Sequence, residues 1–485
     1  MTTMWSRCAG FDRLQANKIV KCCASTDDIF LALVFNPDYR CFSDDKAFGP
    51  LISQLKALEE NGIIVETPDG PKKVFFVSSL LLGDNMGLNS VGGFAESFSA
   101  GYYCRFCKTH KTVANTQSVE NAESLRTKEN YEEDLAVNNV ELTGVKKNCA
   151  LNSLPSFHIT ENYSVDIFHD FNEGICHYVL IHVLKHCTKA PYPGGDPRYF
   201  SLGLLNHRME FFKFGPCDSN KFPLLSDETC KRKKLKMSGS ETLLFVKMFG
   251  ILIGDKVPHE DEFWKLYLKL RELLDIVLSP SLSCHQSASF KVLVEEFNTM
   301  YTEVTNDTLK SKFHNLVHYP RILDESGPVS LTSTKHFERK HRSLTIPAHA
   351  TQSRRYIEKT VAVSHQLTWC HKLKSRKFLL PETIYGPCSE VFLKDFQNKH
   401  FVDPLPNCYF SQSCLECNWV EYKRFKYKPG MVLILDGFDE HLHAYEVEST
   451  DNYGHVSPSK ILEPLPLSIH FSVDCKKYVV LRHAL

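Results

Sequence analysis

No stretch of this 485-residue sequence approaches the roughly 18 to 20 consecutive apolar residues that a membrane-spanning helix needs. The longest candidates, Ile29 to Phe35 and the lysine-interrupted run from Leu243 to Ile253, are the size of core segments. Net charge is lacking as well: 57 Lys and Arg stand against 57 Asp and Glu, which excludes a uniformly basic nucleic-acid coat and leaves only local patches for any contact with DNA. There is no internal repeat and no low-complexity tract. The opening MTTMWSRCAG has no apolar h-region and predicts no secretory leader. With 43% hydrophobic and 24% charged residues, the composition excludes a disordered or fibrous chain. At roughly 150 residues per domain, the length allows two to four domains with full cores.

Cysteine is not scarce. The 18 Cys are scattered, apart from two Cys-x-x-Cys pairs, so reduced thiols in a reducing compartment are expected rather than a disulfide framework.

From Asp44 to Asn61, Phe48, Leu51, Ile52, Leu55 and Leu58 form an amphipathic stripe, and Gly62 stands where a left-handed C-cap is wanted, predicting a helix. Ile29 to Phe35 reads as a strand before it, and the apolar run Val74 to Asn85, ending in a polar tip, reads as a buried strand after it. Strand, helix, strand implies an α/β sheet with its two strands parallel, and ligand chemistry then gathers at the carboxyl end where Asp84 falls. Residues 110 to 160 are polar and poor in pattern, and Thr188 to Lys236 reads as loop. Helical spacing returns from Ser240 to Ser279, from Ser287 to Val304, and from Ser353 to Leu373, where Tyr356, Thr360, Val363 and Leu367 share a face. After Pro381 short β-like runs, Val432 to Leu435, Ala444 to Val447 and Tyr478 to Leu481, predict a small β-rich domain.

The sharpest chemical signal is Cys104-Arg-Phe-Cys107-Lys-Thr-His110. Two thiolates two residues apart can grip one Zn²⁺ in a tight knuckle, and His110 or the later Cys149 could complete a tetrahedral set. The pair Cys414 and Cys417, after Cys408, has no equally clear partners. Asp166 and His169 in SVDIFHDFNEG are three apart and share a face if helical. In HFERKHR, Glu338 lies one turn before Arg342, an arrangement that an exposed ion pair also explains. His314 and His318 imitate a two-histidine metal face, but Tyr319 and Pro320 beside them favour packing or capping. The basic run KRKKLK (Lys231 to Lys236) suits a solvated loop, a nuclear import signal or phosphate contacts. No HExxH or comparable paired-histidine motif supports a small-molecule metal hydrolase.

Taken in order, LLLGDNMGLNSVGGFAESFSAGYYCRFCKTH, TGV, SFHITENYSVDIFHDFNEGIC, KFHNLVHYP and HFERKHR resemble the transposase-derived proteins of animal DNA transposons, most closely the CACTA-like (En/Spm) group and its KDZ-type relatives, over roughly residues 25 to 375. The resemblance implies an RNase H-like core, incomplete at the N-terminus (1–100), a zinc-knuckle segment (101–160), a large helical insertion (161–330), a helix carrying the terminal acid (331–380) and the β-rich C-terminal domain (381–485). It also implies metal-dependent DNA strand cleavage and transfer with Mg²⁺ or Mn²⁺, beside a structural Zn²⁺. Asp84 would be the second catalytic Asp and Glu338 the terminal carboxylate, both magnesium ligands, with Asp166 and His169 matching the family's D-x-x-H signature between them. The first catalytic Asp, expected on a strand upstream of Ile29, is not found: Asp12, Asp27 and Asp28 lie in no convincing strand. The resemblance therefore implies a catalytically impaired remnant with retained DNA affinity and nuclear location, the cytoplasm being the alternative. The rival expectation is a domesticated, zinc-stabilised protein-interaction module without enzymatic activity.

Overall fold

The stripe from Asp44 to Asn61 forms α1 (Asp44–Glu60): the Ser43 side chain accepts the Lys46 N–H, two Asp residues fill the first turn, and Phe48 and Leu51 turn inward. In this computed structural model the described residues are 2–6, 29–35 and 43–375, with gaps at 191–194, 214–220, 227, 229–233, 283–285 and 352–354, followed by segments of 383–480 that are mostly short strands. Gly62 ends the helix at φ +62°, where an added Cβ would stand 2.6 Å from the Val74 carbonyl oxygen, so both the backbone and the space demand glycine.

The expected parallel pair does not form among the described residues. Strand β2 (Phe30–Phe35) runs antiparallel to β1 (Thr2–Ser6), and β3 (Ile63–Thr67) makes a hairpin with β4 (Gly70–Val74). The run after Val74, expected as a buried strand, passes outside any sheet with Phe75 and Val77 about half exposed. Its backbone finds scattered partners instead: Phe76 N–H donates to the Leu58 carbonyl, Ser78 N–H to Glu59, and the Ser79 carbonyl accepts from Asn162. Leu81 makes an isolated parallel bridge to Tyr163, outside any strand. An apolar run is compatible with a buried strand but does not specify one.

Residues 110–160 contain more helix than their weak periodicity suggests: α3 (Lys111–Ala114), α4 (Lys128–Val137) and α5 (Val140–Thr143), after α2 (Asn85–Gly92). They are specified by their ends. Thr127 and Asn130 form a reciprocal capping box on α4, and Asn139 caps α5.

A π-helix (Phe168–Ile175) runs directly into α6 (Cys176–Thr188), whose Val179, Leu180, Val183 and Leu184 are fully buried. The stretch expected as loop contains α7 (Leu202–Glu210), started by Ser201. The expected insertion helices are α8 (Gly239–Ile253), α9 (Glu262–Leu278) and α10 (Gln286–Thr305); α6 packs against α8 and α9. Between α8 and α9, Tyr267 donates to the Val246 carbonyl at 2.9 Å and accepts the Gly250 N–H at 2.8 Å, within a cluster holding Phe249 and Trp264. The short α11 (Ser311–Val317) and α12 (Tyr319–Ser326) follow, then α13 (Lys335–Ala350) and α14 (Ile357–Lys374). On α14 the buried residues are Val361 and His365; Val363 and Leu367, of the face marked by spacing, are exposed. His365 accepts the Leu31 N–H at 3.1 Å, and Trp369 stacks on Phe30, so a polar contact and one aromatic ring fix the helix where a broad apolar stripe does not.

The chain divides into two compact units, Met1–Phe211 with Phe222–Trp369, and Phe212–Lys221 with Cys370–Leu485. The first is mainly helical with two small antiparallel sheets. The second contains short antiparallel strands, among them Val432–Asp436 paired with Leu442–Glu446, and Tyr478–Val480 beside Ser413–Cys417. Cys414 and Cys417 lie on that last strand, and Cys408 is outside the described residues, as are Lys231, Arg232 and Lys233 of the basic run.

Burial, with the charges of Lys234 and Lys312, pulls the His177 imidazole down from 6.5 to about 4. The folded protein keeps it neutral while the unfolded chain takes up a proton, so stability falls as pH drops through this window. Between about pH 7 and about pH 5 the native chain should lose about 2 kcal/mol more urea stability than His177→Gln. Equal losses would refute the assignment.

Candidate metal centre and acidic cluster

Cys104 and Cys107 occupy a buried knuckle before α3, and the loop is set by its own backbone: Phe106 N–H points at Cys104 Sγ at 3.4 Å. Arg126, itself buried, pins it, donating to the Cys104 carbonyl at 3.1 Å, to Asp134 at 2.9 Å and to the Thr143 carbonyl at 2.8 Å.

The donors that complete the set are His314 and His318. Cys107 Sγ lies 3.3 Å from His314 Nε2 and Cys104 Sγ lies 3.6 Å from His318 Nε2, and all four ligand atoms fall within 4.8 Å of one another. A tetrahedral zinc with ordinary Zn–S and Zn–N bonds has S–N edges of about 3.5 Å. The donor set and its spacing therefore fit a metal ion such as zinc. His314 lies on α11, and His318 sits one turn later, at the junction where Tyr319 and Pro320 begin α12. That proline starts a new helix; it does not remove His318 from the face it shares with His314.

Glu120 completes the arrangement. Its carboxylate accepts from His318 Nδ1 at 2.5 Å and from Arg321 Nε at 3.1 Å. With its Nδ1 proton held there, His318 presents a Nε2 lone pair to the metal position. Burial would raise the Cys104 thiol, but hydrogen bonds from Cys107 and Phe106 and the Arg105 charge bring it down to about 7, toward the thiolate that a metal requires.

The two residues expected to finish the knuckle are elsewhere. His110 is exposed and caps α3, its Nδ1 facing the Thr112 N–H and hydroxyl. Cys149 is buried in an apolar cluster with Phe94, Tyr131, Leu151 and Phe157, and burial pushes its thiol up to about 11. Proximity in sequence suggested both; the actual partners lie 207 and 214 residues beyond the cysteines they meet.

Asp166, Glu173 and Glu338 come together around His169. Asp166 is almost fully buried and saturated: its carboxylate accepts the Phe168 N–H at 3.2 Å, the Thr334 N–H at 3.0 Å, the Thr334 hydroxyl at 2.6 Å and the His169 Nδ1 proton. His169 is held at the start of the π-helix with Nε2 directed at Glu338, 3.4 Å from its Oε1, and 4.0 Å from Glu173 Oε2. Burial works against the charged imidazole, but Asp166, Glu173 and Glu338 outweigh it and raise its pKa. Glu338 projects from the first turn of α13. Burial raises its carboxyl, the His169 charge opposes this, and the charges of Glu173, Asp166 and Asp84 add to the rise. Asp84 is the exposed N-cap of α2, one oxygen accepting the Gly87 N–H at 2.8 Å. Glu173, which carries no signal of its own in the sequence, stands four residues after His169 in the same motif.

Each metal-site residue carries a checkable consequence. Elemental analysis of purified protein should give one zinc per chain, lost in Cys107→Ala and in His314→Ala but kept in Cys149→Ala and His110→Ala. Removal of metal by chelator should lower the thermal midpoint by many degrees, since binding energy at such a site is folding energy. Zinc retained after His314→Ala would sink the assignment.

In comparisons with known proteins, no family model matches this chain and no curated protein shows significant similarity to it.

Proposed function

We propose that this chain is a transposon-derived protein in which a structural zinc stabilises the fold around the remnant of a divalent-metal phosphoryl-transfer centre, and that it binds DNA without cutting it. The observation that carries the proposal is the meeting of His169 and Glu338, drawn from distant segments, with the charge of Asp84 adding to the rise of the Glu338 carboxyl. These are residues to which the resemblance to CACTA-like and KDZ-type transposases assigns roles.

The carboxylates divide by availability. Asp166 has no oxygen left for a metal, so it serves as a positioning residue that fixes the tautomer and aim of His169. Asp84 keeps one oxygen outside its helix cap, and Glu338 is about half exposed. These two offer hard oxygen ligands of the kind Mg²⁺ or Mn²⁺ takes. A metal pair bound there in an intact enzyme activates the attacking oxygen and stabilises the leaving oxygen of a phosphodiester. The first catalytic Asp, expected on a strand upstream of Ile29, is not provided by the described residues, and a centre lacking one ligand loses both charge balance and geometry. An RNase H-like ancestry of the first unit belongs to the same proposal.

A polyanionic partner is supported by α13 itself. Lys335, Arg339 and Arg342 recur at i, i+4 and i+7 on one helical face beside Glu338. Burial and the charges of Arg339 and Lys247 together depress the Lys335 ammonium, so cations are crowded here at a cost that a phosphate backbone would relieve.

The rival reading, a zinc-stabilised interaction module, is favoured by one observation: Ile63, Ile64, Phe75 and Val77 are exposed on and after the β3–β4 hairpin. Mn²⁺ titration separates the two. The proposed function predicts Mn²⁺ binding that weakens roughly tenfold or more in Asp84→Asn and in Glu338→Gln, whereas the interaction module predicts none. No Mg²⁺- or Mn²⁺-dependent nicking of plasmid DNA is expected; robust nicking abolished by Asp84→Ala would overturn the impairment.

Duplex affinity measured by anisotropy should fall in Arg339→Glu with Arg342→Glu, and the salt slope should shrink by about 0.9 for each phosphate no longer neutralised. An unchanged affinity and slope would remove α13 from the DNA surface.

A further inference from the structure

Between the metal centre and the acidic cluster lies a buried polar knot with Asp170 at its middle. Asp170 is fully buried, and three side chains donate to it: Asn85 at 2.8 Å, Asn315 at 3.1 Å and Tyr319 at 3.0 Å. Arg105 donates to Asn85 Oδ1 at 2.9 Å, and Asn315 also reaches that oxygen at 3.3 Å. All five residues are buried, and the Arg105 guanidinium lies over the Phe106 ring.

The positions of these residues in the chain are informative. Arg105 sits between the two cysteines, Asn315 follows His314 and Tyr319 follows His318, while Asn85 follows Asp84 and Asp170 follows His169. Every member of the knot is thus the immediate neighbour of a metal-site residue or of an acidic-cluster residue. Lys312, two residues before His314, adds a further tie by donating to the His169 carbonyl at 2.5 Å and the Glu173 carbonyl at 3.2 Å. Gly174 leaves room for it, since a Cβ there would lie 2.2 Å from Lys312 Cδ.

We propose that Asp170 is a positioning residue through which metal occupancy of the Cys104/Cys107/His314/His318 centre sets the geometry of the acidic cluster. A fully desolvated carboxylate tolerates no loss of its partners, because each unpaired donor or acceptor in a dry site is costly. Releasing the metal removes the tie that joins the Cys104–Cys107 loop to the 314–319 junction, which together supply Arg105, Asn315 and Tyr319. Asp170 then loses its satisfaction, and the π-helix carrying His169 loses its anchor. The coupling is a free energy between two sites and must act in both directions.

Hydrogen exchange on the full chain tests this without relying on activity. Removing zinc should speed exchange not only in peptides covering 104–107 and 311–320 but also in 164–175, with peptides from α8 and α9 unchanged as the reference for global unfolding. Asp170→Asn should keep one zinc per chain, exchange fast at 164–175 even when loaded, and respond no further to chelator. Exchange at 164–175 that ignores zinc, or an Asp170→Asn protein indistinguishable from the native chain, overturns the proposal. If chelation unfolds the reference peptides, or Asp170→Asn fails to fold, the milder Tyr319→Phe decides: with full zinc content it should exchange faster at 164–175 than the native chain, and equality overturns the proposal.

The role of the cluster itself rests on the function proposed above, and Mn²⁺ titration of the same samples keeps the two apart. Mn²⁺ affinity should fall roughly tenfold in Asp170→Asn. Native protein that takes no Mn²⁺ but shows the exchange coupling defeats the phosphoryl-transfer reading alone. Equal Mn²⁺ affinity in native protein and Asp170→Asn defeats the coupling alone.

Discussion

Two sulfur and two imidazole donors must meet in a dry site although two of them come from a loop near residue 105 and two from a helix end more than 200 residues later. Closing so long a loop costs little more than closing a short one, because the entropy grows only with the logarithm of length. The larger cost is desolvating two thiolates, and a metal offsets it with apparent binding energies on the order of 10–16 kcal/mol in small zinc domains. That scale exceeds the net stability of most domains. With a metal bound, the Cys/His centre would be a point at which the path of the chain is fixed, and the elements nearest it are tied to it by hydrogen bonds. Arg126 holds the knuckle to Asp134 of α4, Glu120 ties His318 to Arg321 of α12, and Asp170 carries the tie toward the π-helix.

Much of this was readable in the sequence where the signal was local. The Cys104–Cys107 spacing announced a metal knuckle, the stripe of α1 announced a helix with its glycine stop, and the i, i+3 relation of Asp166 and His169 placed both side chains at one location. What was not readable depended on distance. His314 and His318 have the spacing of a two-histidine metal face, but Tyr319 and Pro320 also fit a cap, and nothing local shows that two cysteines arrive from far upstream. His110 and Cys149 were favoured by closeness along the chain, which carries no weight once a loop can close over hundreds of residues. Glu173 was hidden for another reason: it lies inside a motif whose other members drew attention, and the π-helix gives no sequence signature of its own.

The misread strand has the same cause in reverse. Val74 to Leu82 has the composition of a buried strand, yet Glu59, Asn162 and the bridge to Tyr163 satisfy parts of its backbone and leave Phe75 and Val77 in solvent. Composition reports what a segment could bury; only the available partners decide whether it does. On α14 a similar substitution occurs, with His365 and Trp369 anchoring the helix in place of the face that Val363 and Leu367 suggested.

Hydrogen-bond saturation sorts the carboxylates more sharply than position in a motif. Asp166 and Asp170 are the most buried acids of the region, and each is fully engaged by neutral donors, with His169 added for Asp166 and the Arg105 charge close to Asp170. Such groups hold structure and have nothing left for a ligand. Asp84, Glu173 and Glu338 are less enclosed; burial raises the Glu338 carboxyl, the His169 charge opposes the rise, and the charges of Glu173, Asp166 and Asp84 add to it. One imidazolium carries a single charge and reaches Glu338 through a single nitrogen; a divalent cation carries twice the charge and accepts several oxygens at once. Under the proposed function, the less enclosed carboxylates would be the ones to take a dication, while the saturated pair, Asp166 and Asp170, holds the surround in place.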